Sequence, residues 1–214
     1  MKLKNVDYSL YLITDRNFSG GWSLRSIVEA AVRGGVTCVQ LREKDCSTGE
    51  FIEQALSIHD FLKAERIPLI INDRVDVAQA VRAEGVHLGQ SDMPLSLARS
   101  ILRDSMLIGI SASSVEDATE AEKGGADYIG VSPIFATPTK IDTAPPLGMD
   151  GLSKMRRAVK IPLVGIGGLN MNNAGDVIKS GGDGVAVVSA IVSADDPEKA
   201  ARELKEVICT AINP

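Results

Sequence analysis

Cysteine and histidine are scarce in this chain of 214 residues, which has three of the first and two of the second. Cys38, Cys46 and Cys209 are odd in number and form neither a CxxC pair nor a metal-ligand spacing. That argues against a disulfide framework or a thiolate metal centre and fits a reducing compartment; Cys38 is read as core. Neither His59 nor His87 has a second histidine at ligand spacing or a nearby nucleophile, so both are read as structural. Basic residues are also few: 23 Lys and Arg against 28 Asp and Glu give a net charge of -5, which argues against a nucleic-acid or anionic-membrane surface. The longest apolar runs, such as 68–71 and 161–164, are strand-sized, far short of the ~20 residues of a membrane span. Residues 1–7 carry no apolar segment and no small-residue cleavage site, so no secretory signal is read there and a cytoplasmic location is expected. No linker or low-complexity tract interrupts the chain. With 44% hydrophobic residues it is large enough for one full core, and residues 1–214 are expected to form one domain.

What is present is most informative at 36–44. Strand periodicity puts Gln40, Arg42 and Lys44 on one face and Val39 and Leu41 on the other. Ser47 and Glu50 follow at capping-box spacing, so a buried strand leaves through a charged loop into a helix. In parallel α/β proteins ligands bind at such strand ends. Two cations and an amide there suggest an anionic ligand.

Strand-like runs recur at 8–14, 36–41, 68–71, 86–89, 107–110, 128–131, 162–165 and 184–188. Helix-periodic segments follow at 24–32, 51–64, 75–83, 95–102, 115–123, 152–159, 174–180 and 198–208. Gly34-Gly35, Gly85, Gly124-Gly125 and Gly181-Gly182 read as left-handed helix stops. Eight strand-helix units of about 27 residues predict a compact α/β fold, a single-domain (β/α)8 TIM barrel. A doubly wound open sheet is the alternative. One long loop, 132–149, follows the sixth strand, and loops of that length commonly carry function.

Chemistry-bearing residues sit at the strand ends. Asp73 follows the third strand and Asp92 the fourth; as a pair they suit a hard divalent cation such as Mg2+, and singly each could be a helix N-cap. Ser111 ends the fifth strand, while Ser113 and Ser114 are better placed to cap the next helix. Thr137-Pro138-Thr139-Lys140 offers hydroxyls and a cation to phosphate, although a solvated loop has the same composition. Gly165-Ile166-Gly167-Gly168 and Val188-Ser189-Ala190 fall where many barrels bind phosphate through backbone amides; a tight turn is the plainer account. Asp15 and Arg16 are read as a surface ion pair, and Phe18 and Trp22 as packing.

Taken in order, Gln40-Leu41-Arg42-Glu43-Lys44, Asn72-Asp73-Arg74-Val75-Asp76, His87-Leu88-Gly89-Gln90-Ser91-Asp92, Thr137-Pro138-Thr139-Lys140 and Gly165-Ile166-Gly167-Gly168 resemble the thiamine-phosphate synthase family over nearly the whole chain. The resemblance implies a (β/α)8 transferase that joins a hydroxymethylpyrimidine diphosphate to a thiazole phosphate. It would place the pyrimidine diphosphate on Gln40, Arg42, Lys44, Asn72, Ser111 and Lys140, and counts Leu41, Glu43 and Pro138 among the substrate-binding residues. Asp73 and Asp92 would hold Mg2+. The thiazole phosphate would meet Thr137, Thr139, Gly168, Val188 and Ser189. Arg42, Lys44, Ser111 and Lys140 would carry the catalysis, by electrostatic stabilisation of a departing diphosphate. Small-molecule substrates are the implied partners, neither nucleic acid nor membrane is expected, and self-association into a homo-oligomer is left open. Closure of the 132–149 loop over the substrates is expected, because Lys140 must reach a ligand that also has to enter. Ala136 stands where related sequences often have Pro. A thiazole tautomerase on the same scaffold, or a non-catalytic binding barrel, are the rival readings.

Overall fold

The computed structural model describes residues 6–102, 104–137 and 145–213. Eight parallel strands pair in sequence order and close, the first against the eighth. They are β1 (Leu10–Ile13), β2 (Cys38–Leu41), β3 (Leu69–Asn72), β4 (Gly85–Leu88), β5 (Leu107–Ala112), β6 (Tyr128–Val131), β7 (Leu163–Ile166) and β8 (Gly184–Val187). The helices are α1 (Leu24–Arg33), α2 (Thr48–Ala64), α3 (Val75–Val81), α4 (Leu95–Ile101), α5 (Val115–Lys123), α6 (Gly148–Ala158), α7 (Ala174–Lys179), α8 (Ser189–Val192) and α9 (Pro197–Ile212). The expected (β/α)8 barrel is therefore the fold, and closure excludes the open sheet. No helix among the described residues is long and apolar enough to cross a membrane.

Local signals set most boundaries. Ser47 and Glu50 form the reciprocal capping box of α2, Ser23 and Ser114 cap α1 and α5, and Asp196 with Pro197 starts α9. Gly35, Gly125 and Gly181 follow helices at positive φ, as expected. Gly85 is a correction: α3 already stops at Arg82, which takes the left-handed turn itself, and Gly85 opens β4.

Strand alternation divides the core into two layers. Outward residues such as Leu12, Val39, Leu41, Ile71, Val86 and Ile129 pack under the helices. Inward residues Tyr11, Ile13, Cys38, Ile70, Tyr128, Val164 and Ala186 fill the barrel. Large rings fit inside because their neighbours lack side chains: a Cβ at Gly109 would lie 2.1 Å from Tyr128 Cζ, and one at Gly130 would lie 2.9 Å from His87 Cε1.

A cation-lined mouth with an acidic rim

The C-terminal ends of the strands open into a cavity of about 340 Å³. Gln40 and Arg42 reach it from β2 and the turn beyond, Asn72 from β3, His87 from β4 and Ser111 from β5. Thr137, Gly167, Gly168, Val188 and Ser189 line the opposite side, with Ile13, Ile166 and Ala186 as apolar wall.

Period-2 geometry sorts the 40–44 run. Gln40 is buried inside the barrel and donates from Nε2 to the Tyr11 hydroxyl at 2.9 Å. Arg42 lies in the mouth, with Nη1 2.5 Å from Asp15 Oδ2. Lys44 stands at the rim, paired with Asp73. Leu41 and Glu43, also expected among the substrate-binding residues, point their side chains the other way. Leu41 is fully buried beneath the helices. Glu43 pairs with Arg16 Nε at 2.5 Å in a separate cavity of about 280 Å³, where burial raises its carboxyl although Arg16 opposes that shift.

The same alternation overturns the Asp15–Arg16 pair. These consecutive side chains diverge, Asp15 inward to Arg42 and Arg16 outward to Glu43. Asp15, 5% exposed, also accepts from Asn17 N and so fixes the turn that presents it. Phe18 packs on the core as expected, but Trp22 is 45% exposed beside the second cavity.

Asp73 and Asp92 come together at the rim, and neither is an N-cap. Asp73 sits at φ 61, in the left-handed region, held by its own amide bonding His87 O at 2.8 Å. Arg74 and Pro94 occupy the N-cap positions of α3 and α4, neither with a side-chain cap. Asp92 folds back so that Oδ2 accepts from Gly89 N at 2.7 Å. Burial would raise the Asp73 carboxyl, yet Lys44 and a hydrogen bond shared with Asp92 hold it below its ordinary value. Asp92 is raised, by burial and by Asp73. Two carboxyl groups in contact, only one of them answered by a lysine, form an oxygen donor set that a hard cation would satisfy. Among the described residues no cluster of three His, Cys, Asp or Glu is poised for a metal, so water and substrate oxygens would have to complete such a site.

Ser111 is left free of capping as expected, because Ser114 caps α5 and Ser113 bonds Asp117. Its Oγ lies 2.9 Å from His87 Nε2. His87, expected only as structural, thus lies in the cavity wall, while His59 bonds Glu84 at 3.3 Å away from the mouth. Tyr11 and Tyr128, which sequence reasoning passed over, lie below the cavity with their hydroxyls 2.9 Å apart. Burial, reinforced by neighbouring acidic groups, holds both phenols well above their ordinary range, so they stay protonated. Their signal was available: Tyr11 shares the inward face of β1 with Ile13.

The glycines after β7 serve both a tight turn and an approach. Gly167 and Gly168 have φ of 100° and 65°, and a Cβ on Gly168 would lie 2.8 Å from Ala136 O. That contact comes from the start of the long loop, where Ile134 N and Phe135 N bond Ile166 O and Gly167 O. The loop's far end returns to the same place, with Leu147 N and Gly148 N bonding Pro133 O and Ile134 O. Thr137 lines the cavity; Pro138, Thr139 and Lys140 lie outside the described residues, as does any closure that involves them. After the neighbouring strand, Val188 and Ser189 begin the short α8, where Ile191 N and Val192 N bond Val188 O at 3.1 and 2.9 Å.

A closed parallel barrel with this charged C-terminal mouth is a (β/α)8 barrel of the kind that works on small anionic ligands at its strand ends. Comparison with known proteins narrows the class. The chain belongs to the thiamine monophosphate synthase family, whose model matches residues 10–191. It is 53% identical over 203 residues to the thiamine-phosphate synthase of Chloroflexus aurantiacus, covering 95% of this chain and 94% of that one. It is 54% identical over 199 residues to the thiamine-phosphate synthase of Albidiferax ferrireducens, covering 93% and 91%. The solved thiamine phosphate pyrophosphorylase from Pyrococcus furiosus superposes with a TM-score of 0.90 at 40% identity, over 97% of this chain and 98% of that one.

Proposed function

We propose that this chain is a transferase of thiamine biosynthesis, which condenses a hydroxymethyl-aminopyrimidine diphosphate with a thiazole phosphate to give thiamine phosphate and diphosphate. Family membership supports the reaction. The observation that carries the assignment of the site is the Asp73–Asp92 pair beside Lys44, at the rim of a mouth that already contains Arg42. A tautomerase that handled only a thiazole phosphate would have no use for that second charged site.

In this reading the bond between the pyrimidine methylene and the diphosphate oxygen breaks, and a bond from the methylene carbon to the thiazole nitrogen forms. Arg42, Lys44 and Lys140 neutralise the departing diphosphate, so its electron pair leaves on oxygen without needing a proton. The aminopyrimidine ring stabilises the cationic methylene. Gln40, Asn72 and Ser111 orient that ring, while the thiazole phosphate is held by Thr137, Thr139, Gly168, Val188 and Ser189 so that its nitrogen faces the methylene. The apolar wall of Ile13, Ile166 and Ala186 limits water, which would otherwise capture the cation. Asp73 and Asp92 fit Mg2+ as oxygen ligands; when bound, the ion would offset diphosphate charge alongside the cationic side chains. We place the activity in the cytoplasm, supported by Cys38, Cys46 and Cys209 all being free thiols.

The test is diphosphate release by purified protein given the pyrimidine diphosphate and Mg2+, with and without thiazole phosphate, and product mass. Release that requires both substrates and yields thiamine phosphate is expected. Thiazole phosphate binding without any release would overturn the proposal.

A further inference from the structure

The cavity floor contains a chain of hydrogen bonds that is buried at its centre. Gln40 Nε2 donates to the Tyr11 hydroxyl at 2.9 Å, and the Tyr11 and Tyr128 hydroxyls meet at 2.9 Å. The Tyr128 hydroxyl is 3.0 Å from His87 Nδ1, and His87 Nε2 is 2.9 Å from Ser111 Oγ. Five strands contribute one side chain each, and the two ends, Gln40 and Ser111, both line the cavity.

This chain has a direction. An amide nitrogen only donates, so the Tyr11 oxygen receives a proton from Gln40. Tyr11 then passes its own proton to Tyr128, a stronger acceptor than the Cys38 thiol that also neighbours the Tyr11 hydroxyl. Tyr128 in turn donates to His87 Nδ1, which leaves the imidazole proton on Nε2, directed at Ser111 Oγ. The Ser111 hydroxyl proton is thereby released to the cavity. At the other end, committing Nε2 to Tyr11 leaves the carbonyl oxygen as the group Gln40 offers.

We infer that Tyr11, Tyr128 and His87 are positioning residues whose ordered hydrogen bonds make Ser111 a donor and Gln40 an acceptor toward the ligand. The floor then selects a ring with an acceptor nitrogen beside an exocyclic amino group, over the oxo analogue, whose ring N–H and carbonyl present the reverse pattern. The inference rests on the reading above that the pyrimidine lies against Gln40 and Ser111.

Nitrogen-15 spectra of histidine-labelled protein at about pH 8, where an ordinary imidazole is neutral, report the tautomer directly. The chain has 2 histidines, so His59→Gln assigns the signals. Substrate-free protein is expected to show the His87 proton on Nε2, and Tyr128→Phe, which removes the donor to Nδ1, to show a mixture. In that variant kcat/KM for the pyrimidine diphosphate should fall about tenfold, carried by KM, the loss of one oriented hydrogen bond. The unmodified protein should discriminate against the oxo analogue by about a hundredfold or more, and Tyr128→Phe by much less. A proton on Nδ1 in the unmodified protein, equal use of both rings, or an unchanged tautomer in Tyr128→Phe would overturn the relay. If the protein makes no thiamine phosphate at all, the proposed function fails instead, while the tautomer of the substrate-free protein still decides the relay.

Discussion

Replacing Asp92 by Asn separates the chemistry of the acidic rim from its contribution to the fold. The amide keeps the volume of the carboxyl and an oxygen that can still accept from Gly89 N, now bonded at 2.7 Å. Exchanging a charge-assisted for a neutral hydrogen bond gives up about 1 kcal/mol. Against this, Asp92 is raised by burial and by Asp73, so removing its charge relieves repulsion. The two effects oppose each other, and net stability should change by no more than about 1 kcal/mol, or ~2–4 °C in Tm for a domain of this size. Turnover should respond far more strongly. Removing one preorganised electrostatic contribution to a charged transition state typically costs about 3–4 kcal/mol, ~10²–10³ in kcat. The assay is thiamine phosphate formation at saturating substrates across a Mg2+ titration, with thermal unfolding measured on the same preparation. Turnover within about threefold of the unmodified protein would refute the reasoning, because the rim would then carry no part of the reaction. A Tm loss above ~10 °C would refute the other half, that Asp92 contributes little to folding.

Three further outcomes follow from individual contacts. Asp15→Asn removes the carboxylate that holds Arg42 at 2.5 Å, and should lower kcat/KM for the pyrimidine diphosphate about tenfold while far-ultraviolet dichroism is unchanged; unaltered kinetics would show that Arg42 needs no anchor. Gly109→Ala places a Cβ 2.1 Å from Tyr128 Cζ and should destabilise the barrel by about 1–3 kcal/mol or more, read as a lower denaturant midpoint; an unchanged midpoint would mean that the ring shifts freely. His59 is raised above its ordinary 6.5 by its hydrogen bond to Glu84, despite the opposing effect of burial. A raised histidine stabilises the fold below its unfolded pKa, and this contribution is lost as pH rises through the folded value. The Tm deficit of His59→Gln should therefore be largest just below pH 6.5 and shrink above it; a deficit independent of pH would refute the pairing.

Much of the barrel was legible because its signals are local. Tyr128–Val131 and Val115–Lys123 appear where apolar alternation, helical periodicity and the Ser114 cap placed them, since each depends on neighbours a few residues away. The site was legible in the same way where it repeats along one strand face: Gln40, Arg42 and Lys44 follow from the two-residue period. That period also assigns Leu41 and Glu43 to the outer face, where their side chains lie. The left-handed turn at Arg82 instead of Gly85 was not legible, because a strand glycine and a helix-ending glycine look alike without knowing which residues face them.

Sequence alone determined the number and order of the strand-helix units, their main caps and the residue types at the strand ends, because these depend on backbone geometry within a few residues. Only the tertiary structure decided which charges meet: Arg42 with Asp15 and not with a neighbour in sequence, Arg16 with Glu43, Asp73 with Asp92 and Lys44. It also decided that Tyr11, Tyr128 and His87, from three strands, form one hydrogen-bonded floor. The physical reason is barrel closure: the pairing of β1 with β8 turns an open row of strand ends into a ring, so residues distant in sequence share one small space.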